Sequence, residues 1–293
     1  STVDQNFTAT LVATSVNGCK DSISKTTLVY FKPDASFTLD TPKCVSKTIT
    51  FTNNSSGNTT NSWNFGDASG ISSAVSPAHT YTNNTSSNIN YTVQLIVTSV
   101  NACKDTALGY PVVYAKPVAN FAVTPTVGCS PLASAMTNSS SFASTYLWKF
   151  GDGNTASTLH ANHTYTNTSS TTDQTFSCTV VATNPNGCQD SITKTILVYF
   201  KPDASFTLDT PKCVSKTITF TNNSQGNNTN SWNFGDGSPL SSLTAPAHTY
   251  TNNTSSNINY TVQLIVTSVN ACKDTALGYP VVYAKPIAGF SVT

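Results

Sequence analysis

The chain has 293 residues, enough for two or three domains, and a formal net charge of +1 with only 9% of its residues charged. Every acidic residue is Asp, every basic one is Lys, and no basic cluster occurs, which argues against a nucleic-acid partner needing several phosphate contacts. The lack of Glu and Arg beside abundant Thr, Asn, Ser and Val favours strands and turns over helices, and no apolar run is long enough to span a membrane.

Residues 1–32 have no independent pattern; they match the end of a later unit. Asp4 to Pro33 resembles Asp173 to Pro202, and Lys32 to Pro117 resembles Lys201 to Pro286, both at one constant offset. Neighbouring units repeat at half that offset. The chain therefore divides into the C-terminal part of a B-type domain (1–32), an A-type domain (33–116), a B-type domain (117–201), a second A-type domain (202–285) and the first strand of a further B-type domain (286–293). It begins in mid-pattern without Met or signal peptide and reads as a window of a longer protein.

Within the first complete unit, Asp34 to Leu39 predicts a short strand and Lys47 to Thr52 alternates Ile and Phe against Thr. Ser62 to Phe65 follows, then a polar loop to Pro77. Tyr91, Val93, Leu95 and Val97 share one strand face, and Thr106 to Tyr114 closes the unit. Such strands, punctuated by Asn, Gly and Pro, describe an all-β sandwich of about seven strands. Between Lys32 and Pro117 the two A-type copies differ at eight positions, six of them from Ala68 to Ser76, which marks 68–76 and its counterpart 237–245 as exposed loops. The joints Tyr114-Ala115-Lys116-Pro117 and Tyr199-Phe200-Lys201-Pro202 are short and fixed by Pro, and predict domains arranged end to end as a rod. Alternating A with B keeps near-identical sandwiches from being neighbours, which lowers the risk of strand swapping during folding.

One motif occurs once per unit and holds all three tryptophans. Trp63-Asn64-Phe65-Gly66-Asp67 with His79-Thr80-Tyr81 returns as Trp148-Lys149-Phe150-Gly151-Asp152 with His163-Thr164-Tyr165, and as Trp232-Asn233-Phe234-Gly235-Asp236 with His248-Thr249-Tyr250. The alternation puts Trp63 and Phe65, Trp148 and Phe150, and Trp232 and Phe234 on one strand face as structural core, with Gly-Asp supplying the turn. Together with Tyr-Thr-Val-x-Leu further on, the pattern resembles the PKD (polycystic kidney disease) domain, which implies tandem immunoglobulin-like sandwiches over essentially the whole chain. Asn/Thr-rich PKD repeats with Cys-x-Asp turns are similar to secreted surface proteins of Bacteroidota, gliding adhesins among them. That resemblance implies no catalysis and no cofactor. It implies a stiff stalk, fibre or filament at the cell surface, with neighbouring repeats, other copies in a filament and surface glycans as partners. The alternative it implies is a spacer or carbohydrate-binding PKD region of a secreted hydrolase.

Cysteines give the second pattern. Cys44 and Cys103, Cys129 and Cys188, and Cys213 and Cys272 recur at one constant interval, one before the second strand and one in the turn after the long strand. Those places can meet at one end of a sandwich, so three intradomain disulfides are expected, which implies an extracellular, oxidising location. Cys19 matches Cys103, with its partner expected before residue 1. Cys178 aligns with Val93 and reads as a buried small hydrophobe.

Other candidates carry less. His79, His163 and His248 repeat with the fold and lack an accompanying nucleophile, and His160 stands alone in a loop. Asp67, Asp152 and Asp236 are the candidate Ca2+ ligands, since some members of the resembled family hold that ion; one carboxylate per turn fits a side chain capping its own turn better. Asp followed by Ser22, Thr106, Ser191 or Thr275 and an aliphatic residue is similar to the O-glycosylation signal of Bacteroidota, or is Asp capping a turn while Ser/Thr opens a strand. Residues 286–293 and 1–32 also offer complementary parts of one B-type sandwich, so strand donation between molecules is a polymerising alternative to simple truncation.

Overall fold

The computed structural model describes residues 3–40, 43–44, 48–209, 212–213, 217–286 and 289–290, apart from the side chains of 43, 212 and 213. All regular structure among them is β. Two compact units form: Ser1–Val118 with Ser140–Thr145 and Ala182–Asp190, and Ala119–Ser139 with Tyr146–Val181 and Ser191–Thr293. The leading end of the B-type sandwich thus belongs to the first unit and its body to the second.

In the first unit, Gln5–Thr14 and Lys20–Val29 make an antiparallel hairpin whose side chains are all exposed. The A-type sandwich follows. One of its sheets orders Lys104–Gly109, Val93–Thr98, Thr60–Asn64 and Ile71–Ser72, and another orders Phe37–Leu39, Thr48–Asn53 and Ala78–Thr80. A third small sheet sets Val112–Tyr114 between Lys43–Cys44, in parallel, and Ile89–Asn90. The alternating strand Val93–Thr98 buries Val93, Leu95 and Val97 against Ile49, Phe51, Trp63 and Tyr81. Lys47 lies outside the described residues, as does most of the strand expected over 286–293.

In the second unit the B-type body pairs Phe121–Thr124, Leu132–Asn138 and Ala161–Tyr165. Its other sheet orders Val127–Cys129, Gln189–Tyr199, Gln174–Thr183, Thr145–Lys149 and Thr155–Ala156. The B-type strand Gln189–Tyr199 runs unbroken for 11 residues, whereas the A-type counterpart splits into Lys104–Gly109 and Val112–Tyr114. The cause is one residue: Pro111 stands where the B type has Ile196, and a ring without an N–H cannot continue the ladder. The second A-type sandwich repeats the first, with Ile218, Phe220, Trp232, Tyr250, Val262, Leu264 and Val266 in its core.

Candidate functional site

The repeated motif builds a core corner. Trp63, Trp148 and Trp232 are fully buried, and Phe65, Phe150 and Phe234 nearly so, in the core positions the alternation assigned them. Trp63 donates its indole N–H to the Ala74 carbonyl at 3.0 Å, so the variable loop is tied to the core at one atom. Gly66 has φ +77°, and a Cβ there would collide with the Thr92 carbonyl oxygen, which explains the glycine in each motif. The Tyr81 hydroxyl donates to the Phe65 carbonyl at 2.9 Å.

The histidine has a role that sequence reading missed. His79 stacks on Phe65 with ring centroids 4.1 Å apart and brings Nε2 to 2.7 Å from Asp67 Oδ2; His163 and His248 do the same with Asp152 and Asp236. Asp67 also accepts from the Ser69 amide and hydroxyl, so it caps its turn. Burial works to raise the Asp67 carboxyl, and the hydrogen bonds from Ser69 and His79 outweigh it and hold it below its ordinary value. Among the described residues no group of three His, Cys, Asp or Glu gathers to ligate a metal. Cys178 is buried beside the Tyr165 hydroxyl, and burial pushes its thiol up, away from reactivity.

Both disulfides of the described residues lie at joints between sandwiches. Cys44 bonds Cys188, and Cys129 bonds Cys272. The expected intradomain pairs Cys44–Cys103 and Cys129–Cys188 are therefore corrected: each bridge runs from one sandwich to the following one. Cys44 pairs in register with Tyr114, the last strand residue before the joint, so it sits at the trailing end of its sandwich. Cys103 follows a turn whose Asn101 amide reaches Asp4 of the preceding hairpin, which places it at the leading end. Opposite ends of a sandwich cannot share a disulfide. Cys103 and Cys19 are free thiols. The expected pair Cys213–Cys272 is corrected as well, since Cys272 is bonded to Cys129, while the side chain of Cys213 lies outside the described residues.

Polar contacts reinforce each joint. The ammonium of each joint lysine pairs with the Asp two residues after the second cysteine of the next sandwich: Lys32 with Asp105, Lys116 with Asp190, and Lys201 with Asp274. Asp105 and Asp274 also accept the Ala35 and Ala204 amides at 2.9 and 2.8 Å. The Ala35 amide and the Lys32 ammonium pull the Asp105 carboxyl down to about 2. These carboxylates thus hold the joints, while Thr106, Ser191 and Thr275 beside them and Ser22 beside Asp21, the candidate glycosylation positions, are exposed.

The PKD domain family model matches residues 31–108, 111–198 and 199–278. No curated relative matches the sequence. Among solved structures, the PKD1 domain of the Vibrio cholerae metalloprotease PrtV is 29% identical over 28% of this chain and 96% of its own, with a TM-score of 0.23. A tetra-tandem repeat from the extending region of a large adhesion protein is 18% identical over 95% of this chain and 82% of its own, with a TM-score of 0.30. The titin I-band fragment I67–I69 is 10% identical over 88% of this chain and all of its own, with a TM-score of 0.45.

Proposed function

Because the chain belongs to the PKD domain family, we propose that it is a non-catalytic repeat region of an extracellular surface protein, working as a stalk, fibre or filament whose job is to transmit force. The observation that carries this reading is the crossing disulfide at each of the two joints between complete sandwiches. Tension arriving at Cys44 passes through a covalent bond into the next sandwich instead of through its ladder hydrogen bonds alone. The disulfides also fit an oxidising compartment. An uncharged polar coat of Asn, Thr and Ser suits a long extracellular fibre, and the exposed Thr106, Ser191 and Thr275 are then places where glycans attach.

Single-molecule pulling on the chain's ends tests the reading. With both bridges intact, the shortest covalent path from Cys44 to Cys272 runs only through the segment between Cys129 and Cys188. At about 3.5 Å per residue that allows about 200 Å of extension, against about 800 Å for the reduced chain. Equal contour lengths in the presence and absence of reductant would contradict force transmission through the joints.

A further inference from the structure

Two positions that meet at the B-to-A joints exchange bulk at the matching positions of the A-to-B joint. Where a B-type strand runs into an A-type sandwich, the trailing residue is aromatic and the facing loop residue is glycine. A Cβ on Gly57 would lie 2.7 Å from the Phe31 ring, and one on Gly226 would lie 2.9 Å from the Phe200 ring and collide with the Ser170 carbonyl oxygen. Where an A-type strand runs into the B-type sandwich, the trailing position is Ala115 and the matching loop position is Phe142. All three loop residues have left-handed backbones, φ +73° at Gly57, +71° at Gly226 and +57° at Phe142. That conformation suits glycine and is unusual for an aromatic side chain, and the Phe142 ring, 54% exposed, does not recover the strain by its own burial. It stands on an open groove with Val118, Lys116 and the Asn84-Thr85 loop of the preceding sandwich.

The polar contacts change with it. Asp4 and Asp173 accept from the side-chain amides of Asn101 and Asn270 at 3.2 and 3.0 Å, each reaching from a B-type element to the following A-type turn. At the A-to-B joint the matching residues are Asn88 and Asn186, with no carboxylate. There Asn184 donates instead to the Ala115 carbonyl at 2.8 Å, from a position where the A-type turns have Ser99 and Ser268. The bridging cysteines and the Lys–Asp pair, by contrast, occupy the same places in both types and do not discriminate between them.

We propose that the leading face of each sandwich is a docking surface specific for the other type: the A-type face accepts a Phe-Lys-Pro end, and the B-type face accepts an Ala-Lys-Pro end. A B-type end on a B-type face sets Phe against Phe142. An A-type end on an A-type face sets Ala against Gly and leaves the aromatic pocket empty and Asn101 or Asn270 without its carboxylate. Strict alternation is then written into side-chain volume, and it governs which sandwich of any copy of this chain docks on which. The inference holds whether or not the chain bears tension.

The two disulfides are separate reporters of the two joints in one molecule. The test equilibrates the full chain in a glutathione buffer and measures each bridge by peptide mapping after thiol trapping. A115F creates the aromatic clash and is expected to raise the reduced fraction of Cys44 and Cys188 about tenfold, with Cys129–Cys272 unmoved. Adding F142G rebuilds the B-to-A pairing and is expected to return that fraction to within about twofold of the parent. F142G alone puts glycine on a left-handed backbone and so keeps the fold, but it removes the ring from the joint and is expected to weaken Cys44–Cys188 about threefold. An A115F defect that F142G fails to reverse, or an F142G chain whose Cys44–Cys188 bond is as strong as the parent's or stronger, overturns the proposal.

Discussion

The sandwich interiors and the joints solve different problems with different residues. Each interior is built from the same Trp, Phe, His and Tyr set, and both A-type cores bury the same residue types at matching positions. The joints share cysteine, lysine, proline and aspartate; around these the two kinds differ at matching positions, Phe200 and Gly226 against Ala115 and Phe142, and Asp173 and Asn270 against Asn88 and Asn186. What makes a sandwich is repeated, and what orders the sandwiches varies. The most informative residues in such a chain are those that break its periodicity.

Opening a bridge has the largest expected effect. Cys44→Ser removes a crosslink spanning 144 residues, and the chain-entropy model expects a loss of about 5 kcal/mol, read as a lower midpoint in chemical denaturation. Cooperativity should fall as well, since the joint no longer couples its two sandwiches. Trp232→Ala acts on the interior instead and is expected to cost about 3–5 kcal/mol in its own sandwich, while Cys44–Cys188 stays oxidised. Amide hydrogen exchange should show the loss of protection larger at Val262, Leu264 and Val266 than at Val93, Leu95 and Val97.

The interior was legible in the sequence and the joints were not, for a physical reason. Trp63 and Phe65 announce themselves by period-two alternation, and Gly66-Asp67 by turn chemistry, all within one short stretch. A disulfide partner is set by which end of a strand pair each cysteine occupies, and a constant interval between cysteines fits a bridge within one sandwich or between successive ones equally well. The missing signal was Asn101 and Asp4, a contact across 97 residues that places Cys103 at the leading end. His79 was legible as structural, but its pairing with Asp67 was not, because the loop between them hides how the chain returns. The expected closing stretch from Thr106 to Tyr114 had no break in it, and the split at Pro111 shows only beside Ile196 of the unbroken B-type strand.

Weaker perturbations sharpen the contrast. Asp105 has a folded value of about 2 against an ordinary 3.8, so its stabilising contribution is present above 3.8 and lost as pH falls through 2. A melting series from pH 6 to 2 should show the first joint loosening only in that window, and Lys32→Ala should shrink the effect without abolishing it, since the Ala35 amide remains. Smallest of all, Lys116→Ala removes a half-exposed ion pair and is expected to cost under about 1 kcal/mol, less in high salt, with both disulfides retained.

Non-reducing proteolysis with mass mapping of the bridged peptides addresses the central claim without any substitution. Covalent force transfer between sandwiches predicts fragments joining Cys44 to Cys188 and Cys129 to Cys272. Fragments joining Cys44 to Cys103 and Cys129 to Cys188 would close each sandwich on itself and contradict the account.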